Sequence, residues 1–387
     1  MTQRTKADWK QAGVEIGEEV DSSKIAEDVI VHSGCRIQGS ETSIASGCVI
    51  GAEAAVVIEN CQLGRNVELK GGYFFGATFF DGSNMGSGAH VRAGTILEEE
   101  ANGAHTVGFK QTILLPFVTA GSLINFCDVL MSGGTSRKNH SEVGSSYIHF
   151  NFTPHQDKAT ASLIGDIPNG VFLDKQPIFL GGQGGLVGPA RIAYGSVVAA
   201  GGICRQDILE GNQLQIPAVP EAGTRPYEIG VYHSIDRLVK NNLIYIGNVV
   251  ALREWYRNVR SHFLRDSFDL SVLDGGIKNL EIILAERIKR LGDLAGKMEY
   301  SIEWLEINNG SIELIERQKK LQSEWPEIKI QLERTNCQPP IAFTQALEDL
   351  QSNHSYTAAI QSLKPITRET GRAWLQSIVD ATEQLWR

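Results

Sequence analysis

IAEDVIVHSGCRIQGSETSIASGCVIGAEAAVVIENCQLGRNVEL, residues 25–69, carries aliphatic side chains at Ile25, Val31, Ile37, Ile44, Ile50, Val57, Leu63 and Leu69. The step is six residues, stretched twice to seven. An α-helix brings its buried face round every three to four residues and a half-buried strand every two, so neither accounts for this period. A parallel β-helix does, with each hexapeptide supplying one short strand and one corner. The first residue of each hexapeptide then points inward. The fifth must also fit inside, and here it is Val29, Cys35, Cys48, Ala54, Cys61 or Val67.

This frame accounts for three of the six cysteines as small buried hydrophobes. Their 13-residue spacing puts Cys35, Cys48 and Cys61 on different faces of a three-sided coil, which disfavours a disulfide or a metal site. No CxxC pair occurs, and no metal is expected. Glycines at 34, 47, 51, 64 and 71 suit the corners.

The regular pattern breaks after Leu97 and returns at LVGPARIAYGSVVAAGG, residues 186–202. The glycine cluster at 181–185 lacks the spacing and following helix of a dinucleotide fingerprint. From about Tyr227 the spacing becomes helical: Ile235, Leu238, Val239, Ile246, Val249 and Val250, then Ile277, Leu280, Leu284, Ile288 and Leu291. Ser311 reads as an N-cap, and Pro326, Pro339, Pro340 and Pro365 read as separators. The organisation expected is an N-terminal segment at 1–20, a β-helix at 21–222 and an α-helical region at 223–387, the last capping the open end of the solenoid.

The 387 residues carry a net charge of −9, which argues against a general nucleic-acid binder. No apolar run is long enough for a membrane span, and no signal peptide is apparent, so a cytoplasmic protein is expected. Three histidines, His140, His149 and His155, lie close to Arg137 and Lys138 in NHSEVGSSYIHFNFTPHQDK, residues 139–158 and their flank. Histidine exchanges protons near neutral pH, so each is a candidate general base, although such residues are also ordinary in exposed loops. Alternation in YIHFNF (147–152) suggests a strand with His149 and Asn151 on one side.

VRAG at 91–94, VGF at 107–109, HFNFTPHQDK at 149–158, LIGD at 163–166 and LVGPARIAYGSVVAAG at 186–201 together carry a resemblance. The chain resembles the left-handed β-helix acyltransferases. Within them it is most similar to the C-terminal acetyltransferase domain of bifunctional N-acetylglucosamine-1-phosphate uridyltransferase. The matched stretch is less than a third of the chain, and the family's N-terminal nucleotidyltransferase domain has no counterpart in it. The resemblance implies a left-handed β-helix, a homotrimer with sites between subunits, acetyl-CoA or another acyl-CoA, and a sugar phosphate or nucleotide sugar. It implies a phosphate-binding role for Arg92, a substrate-loop role for Asn151 and a CoA-side role for Ala200. Arg137 and Lys138 are further candidates to hold a phosphate. Counted without gaps, the family's histidine base falls on Phe126 and a phosphate-binding lysine on Leu114, so a replacement base is expected among His149, His140 and His155. Two functions follow: a divergent acyltransferase, or a non-catalytic sugar-nucleotide-binding or scaffolding trimer with a helical interaction domain. A nucleotidyltransferase is the poorest reading.

Overall fold

The computed structural model describes residues 6–334, 337–348, 350 and 355–387. Residues from Glu15 to Gln215 wind into a parallel β-solenoid of about 11 turns, and a helical region follows. Each turn contributes strands to three faces. Strands Glu15–Ile16, Arg36–Gln38, Val56–Glu59, Gly72–Phe75 and Ala89–Val91 begin the first face, Ser43–Ile44, Gln62–Leu63 and Ala77–Phe79 the second, and Ile30–Val31, Val49–Ile50 and Glu68–Leu69 the third.

The inward positions are those that the six-residue step selects. Ile25, Val31, Ile37, Ile44, Ile50, Leu63 and Leu69 are buried, as are Val29, Cys35, Cys48, Cys61 and Val67. Val57 and Ala54 are corrections: an enlarged corner at 51–55 shifts the phase, so Val56 and Ile58 point inward, Val57 points out and Ala54 is exposed. The cysteines are free thiols. Burial pushes Cys48 and Cys61 up to about 12 and raises Cys35 as well. Helix α1 (Lys6–Gln11) inserts Trp9 over the first turn and closes that end of the core.

The repeat does not stop at Leu97. Strands Gly108–Leu114 and Ile124–Met131 each run unbroken from the first face to the second, turning the corner at Gln111 and Asp128. Both corner residues take left-handed backbone, φ 48° and 62°. Three insertions hide the period: a hairpin of Gly134–Ser136 and Asn139–His140, a loop at 151–161, and a segment with the short helix α2 (Ile167–Gly170).

The helical region comprises α3 (Asp236–Asn258), α4 (Ser267–Gly296), α5 (Met298–Ile307), α6 (Ile312–Arg334), α7 (Ile341–Glu348), α8 (Tyr356–Ser362) and α9 (Pro365–Glu383). Pro326 does not separate helices; it sits inside α6. Nor does this region cap the end of the solenoid. It lies along the second face, where α4 packs on strands Ser43–Ile44, Gln62–Leu63, Ala77–Phe79 and Thr95–Leu97. The physical reason is the outward row of that face. Phe80, Ile96, Ile113, Leu130 and Leu163 share one apolar core with α3, α4 and α9. Those strands are apolar on both sides and need a cover.

Polar anchors fix the docking. Asn279 of α4 accepts from the Gly94 amide (2.9 Å) and donates to Thr78 Oγ1 (3.0 Å). Arg260 pairs with Glu98 (2.7 Å) and Glu99 (2.8 Å) and stacks between Phe80 and Tyr356. Gly276 of α4 lies so close to Tyr256 that an added Cβ would fall 2.6 Å from the ring.

Candidate functional site

The first face is left bare by the helical region. Its outward positions form two rows running up the solenoid. One contains Tyr73, His90, Asn125 and Ile148, and the other contains Phe75, Lys110, Cys127 and Phe150. Arg92 sits in the second row, one rung before Lys110, its amide donating to the Phe109 carbonyl (2.9 Å). It is exposed and donates to Cys127 Sγ at 3.9 Å. Rungs are about 4.8 Å apart, so Arg92 and Lys110 present two cations at a spacing one phosphate can bridge. Asn151 follows Phe150 of this row, where the chain leaves the face for the loop at 151–161, and the row continues above at Val187.

Phe126 and Leu114 point into the solenoid core and are fully buried. A gapless count therefore lands on inward positions, where neither a base nor a phosphate ligand can meet substrate. The outward neighbours of Phe126 are Asn125 and Cys127, and Lys110 lies beside Cys127 on the preceding rung. The alternation in GFK and NFC, around Phe109 and Phe126, was the available signal for them.

The three histidines do not converge. His149 points inward and is 3% exposed. Its Nδ1 lies 2.6 Å from the Cys127 carbonyl, which can only accept, so Nδ1 carries the proton. Nε2 then accepts from Ser162 Oγ (2.8 Å), and Ser162 Oγ accepts from the Ala190 amide (3.0 Å). Both ring nitrogens are thus used within the coil, and burial pushes the pKa down to about 4 against the pull of Asp128. His149 and Asn151 do not share an exposed face, because the inward side of the strand is Tyr147 and His149.

His155 lies at the corner between the first and second faces. Its Nδ1 accepts from the Gly230 amide (2.9 Å) and its ring stacks on Tyr232 at 4.5 Å. Burial lowers its pKa, opposed by Asp157. His140 lies at the other edge of the second face, in the hairpin, with Nδ1 2.9 Å from the Arg137 carbonyl and Nε2 3.5 Å from Glu142.

Arg137 and Lys138 share that hairpin, across the helix-covered face from Arg92 and Asn151. Arg137 is engaged by the carbonyls of Glu100 (3.0 Å) and Phe117 (2.8 Å) and by Thr119 Oγ1 (3.0 Å), while Lys138 is exposed. Ala200 is exposed at a corner of the last turns, beside Gly181. The strand after it is five rungs above the Arg92 strand, about 24 Å along the axis. One chain does not bring Arg92 and Ala200 into one pocket. Among the described residues there is no group of three or more His, Cys, Asp or Glu side chains able to hold a metal ion, and no helix long and apolar enough to cross a membrane.

Fold and surface together define a hexapeptide-repeat β-solenoid protein with a helical region laid along one face. The chain fits a hexapeptide-repeat family related to bifunctional protein GlmU. It is 26% identical over 187 residues to bifunctional protein GlmU of Thermotoga petrophila, covering 48% of this chain and 37% of that protein. It is 27% identical over 206 residues to the protein of the same name from Pelobacter propionicus (53% and 40%), and 28% identical over 216 residues to that of Thermus thermophilus (54% and 43%). The similarity thus extends over about half of the chain, more than the matched motifs indicate, while the chain spans about two fifths of the length of these curated relatives. No family model matches the chain.

Proposed function

We propose that the protein is an acyltransferase-like, cytoplasmic homotrimer that binds a sugar phosphate or nucleotide sugar on its first face and takes its acyl group from acetyl-CoA or another acyl-CoA. The observation that carries this reading is the pair of outward cations, Arg92 and Lys110, on consecutive rungs of a bare face, with the Asn151 strand two rungs beyond Lys110. The likeness to GlmU supports the substrate class. The separation of Arg92 from Ala200 supports a site completed by a neighbouring subunit, and the helical cover on the second face leaves the first and third faces for that contact. In this reading Arg92 and Lys110 hold the phosphate and Asn151 orients the sugar. The test is release of CoA thiol from acetyl-CoA in the presence of glucosamine 1-phosphate. Turnover that falls in Arg92→Ala supports the reading.

A second reading, a sugar-nucleotide-binding protein without turnover, is favoured by His149, whose ring nitrogens are both engaged inside the coil. It predicts binding of UDP-N-acetylglucosamine with no thiol release.

A further inference from the structure

The loop that carries Asn151 is held by the helical region at successive points. Gly230 donates to His155, Tyr232 Oη donates to Asp157 Oδ2 (2.7 Å), and Asn242 Nδ2 donates to the Ala159 carbonyl (2.8 Å). The deepest contact is made by Arg287 of α4, which is 2% exposed. Its guanidinium enters the corner between the first and second faces. There it pairs with Asp128 Oδ1 (2.9 Å) and donates to Gln111 Oε1 (3.0 Å) and to the Lys158 carbonyl (3.2 Å). Asp128 is itself buried, and its other oxygen, Oδ2, accepts from Asn151 Nδ2 at 3.3 Å.

We infer that Arg287 is a positioning residue for the substrate face: it fixes the Asp128 carboxylate and the Lys158 carbonyl, and through them the amide of Asn151. The inference rests on the binding role proposed above for Asn151. The chemistry gives the amide a direction. A carboxylate accepts only, so Asn151 must turn Nδ2 toward Asp128, which leaves Oδ1 to accept from a hydroxyl or N–H of the ligand. A planar guanidinium holds its N–H donors in a fixed fork that sets the directions of the carboxylate, the amide oxygen and the backbone carbonyl together, whereas the three donors of a lysine ammonium rotate on a shorter, flexible stem and fix them less tightly. The helical region is thereby part of the site, although it leaves the outward rows of the first face bare.

The full chain tests this in two ways. Amide hydrogen exchange is followed across 151–161 in wild type, Arg287→Met, Arg287→Lys and the double variant Arg287→Met/Asp128→Asn. The double variant removes both buried charges, and asparagine tolerates the left-handed backbone at 128, so it keeps the fold within reach if Arg287→Met does not. Exchange in the loop should rise at least about tenfold in Arg287→Met and in the double variant, less in Arg287→Lys, with the turns at 30–70 unchanged. UDP-N-acetylglucosamine is then titrated into wild type, Asn151→Ala, Arg287→Met and Asn151→Ala/Arg287→Met. The two single variants should weaken binding by similar factors, and the pair by no more than either, because both remove one interaction. Unchanged loop exchange, wild-type affinity in Arg287→Met, or losses that multiply in the pair would overturn the inference. If wild type does not bind the nucleotide sugar, the substrate reading fails, and the exchange measurement alone decides the positioning role.

Discussion

The first and second faces of the solenoid are made by the same turns of chain, yet their outward rows differ in kind. On the second face Ile96, Ile113, Leu130 and Leu163 follow one another rung after rung beneath the helices. On the first face the corresponding rows hold Arg92, Lys110, Asn125 and Cys127 in contact with solvent. The inward rows of both are apolar, His149 on the first face excepted. The difference teaches that a hexapeptide turn carries two messages. Its inward positions specify the coil, and its outward positions specify what lies against each face.

The largest effect is expected where the cover is pinned by charge. Arg260→Ala leaves Glu98 buried without its counter-ion and should destabilise the fold by about 3–5 kcal/mol in urea unfolding. A loss below about 1 kcal/mol would mean that the docking does not depend on this pair.

The comparison of faces can be broken with one residue type. Ile113 is 0% exposed beneath the helices and Ile148 is 45% exposed on the first face. Ile113→Ala should cost about 2–5 kcal/mol. Ile148→Ala should stay within about 0.5 kcal/mol in the isolated chain. Equal costs in thermal unfolding would erase the distinction.

The third prediction concerns pH. The unfolded chain protonates His149 near its ordinary value of 6.5, whereas the folded chain does so only at about 4. Between those values the unfolded state binds more protons, so stability falls as pH is lowered and is fully retained above 6.5. The His149 contribution to that loss is about 3 kcal/mol by pH 4. His149→Gln should flatten the stability–pH curve over this window by that amount, and an unchanged curve would place the ring in solvent.

The smallest effect is one of accessibility. Cys35, Cys48 and Cys61 should react with a thiol reagent at least about a hundredfold more slowly in folded than in unfolded protein, because they are reached only by opening the coil. Cys127, half-exposed on the first face, should be labelled before them.

Much of the solenoid was legible because a buried row cannot tolerate polar side chains, and the six-residue step records that row directly. The step was lost after Leu97 for a physical reason. Strands Gly108–Leu114 and Ile124–Met131 turn a corner without a break, and insertions at the hairpin and the 151–161 loop are invisible to a fixed period. Without that count the alternation around His149 has a period but no phase, and it cannot say which side of the strand faces the core. A gapless count from the family's motif likewise takes no account of phase, and it lands on the inward Phe126 and Leu114. The covering of the second face was legible in principle, since TIL, TILL and VLM are apolar at consecutive positions, as strands buried on both sides must be. Arg287 was not legible: it comes from 159 residues beyond Asp128 in the chain, and only the docking of α4 brings it to the corner.

The central claim is that the bare first face is the binding face. Titration of UDP-N-acetylglucosamine into wild type, Arg92→Ala and Lys110→Ala tests it most directly. Loss of a charge-assisted contact to phosphate should weaken binding roughly tenfold or more in each variant, with unfolding curves unchanged because both side chains are outward. Binding of equal strength in all three proteins would contradict the account and move the site off this face.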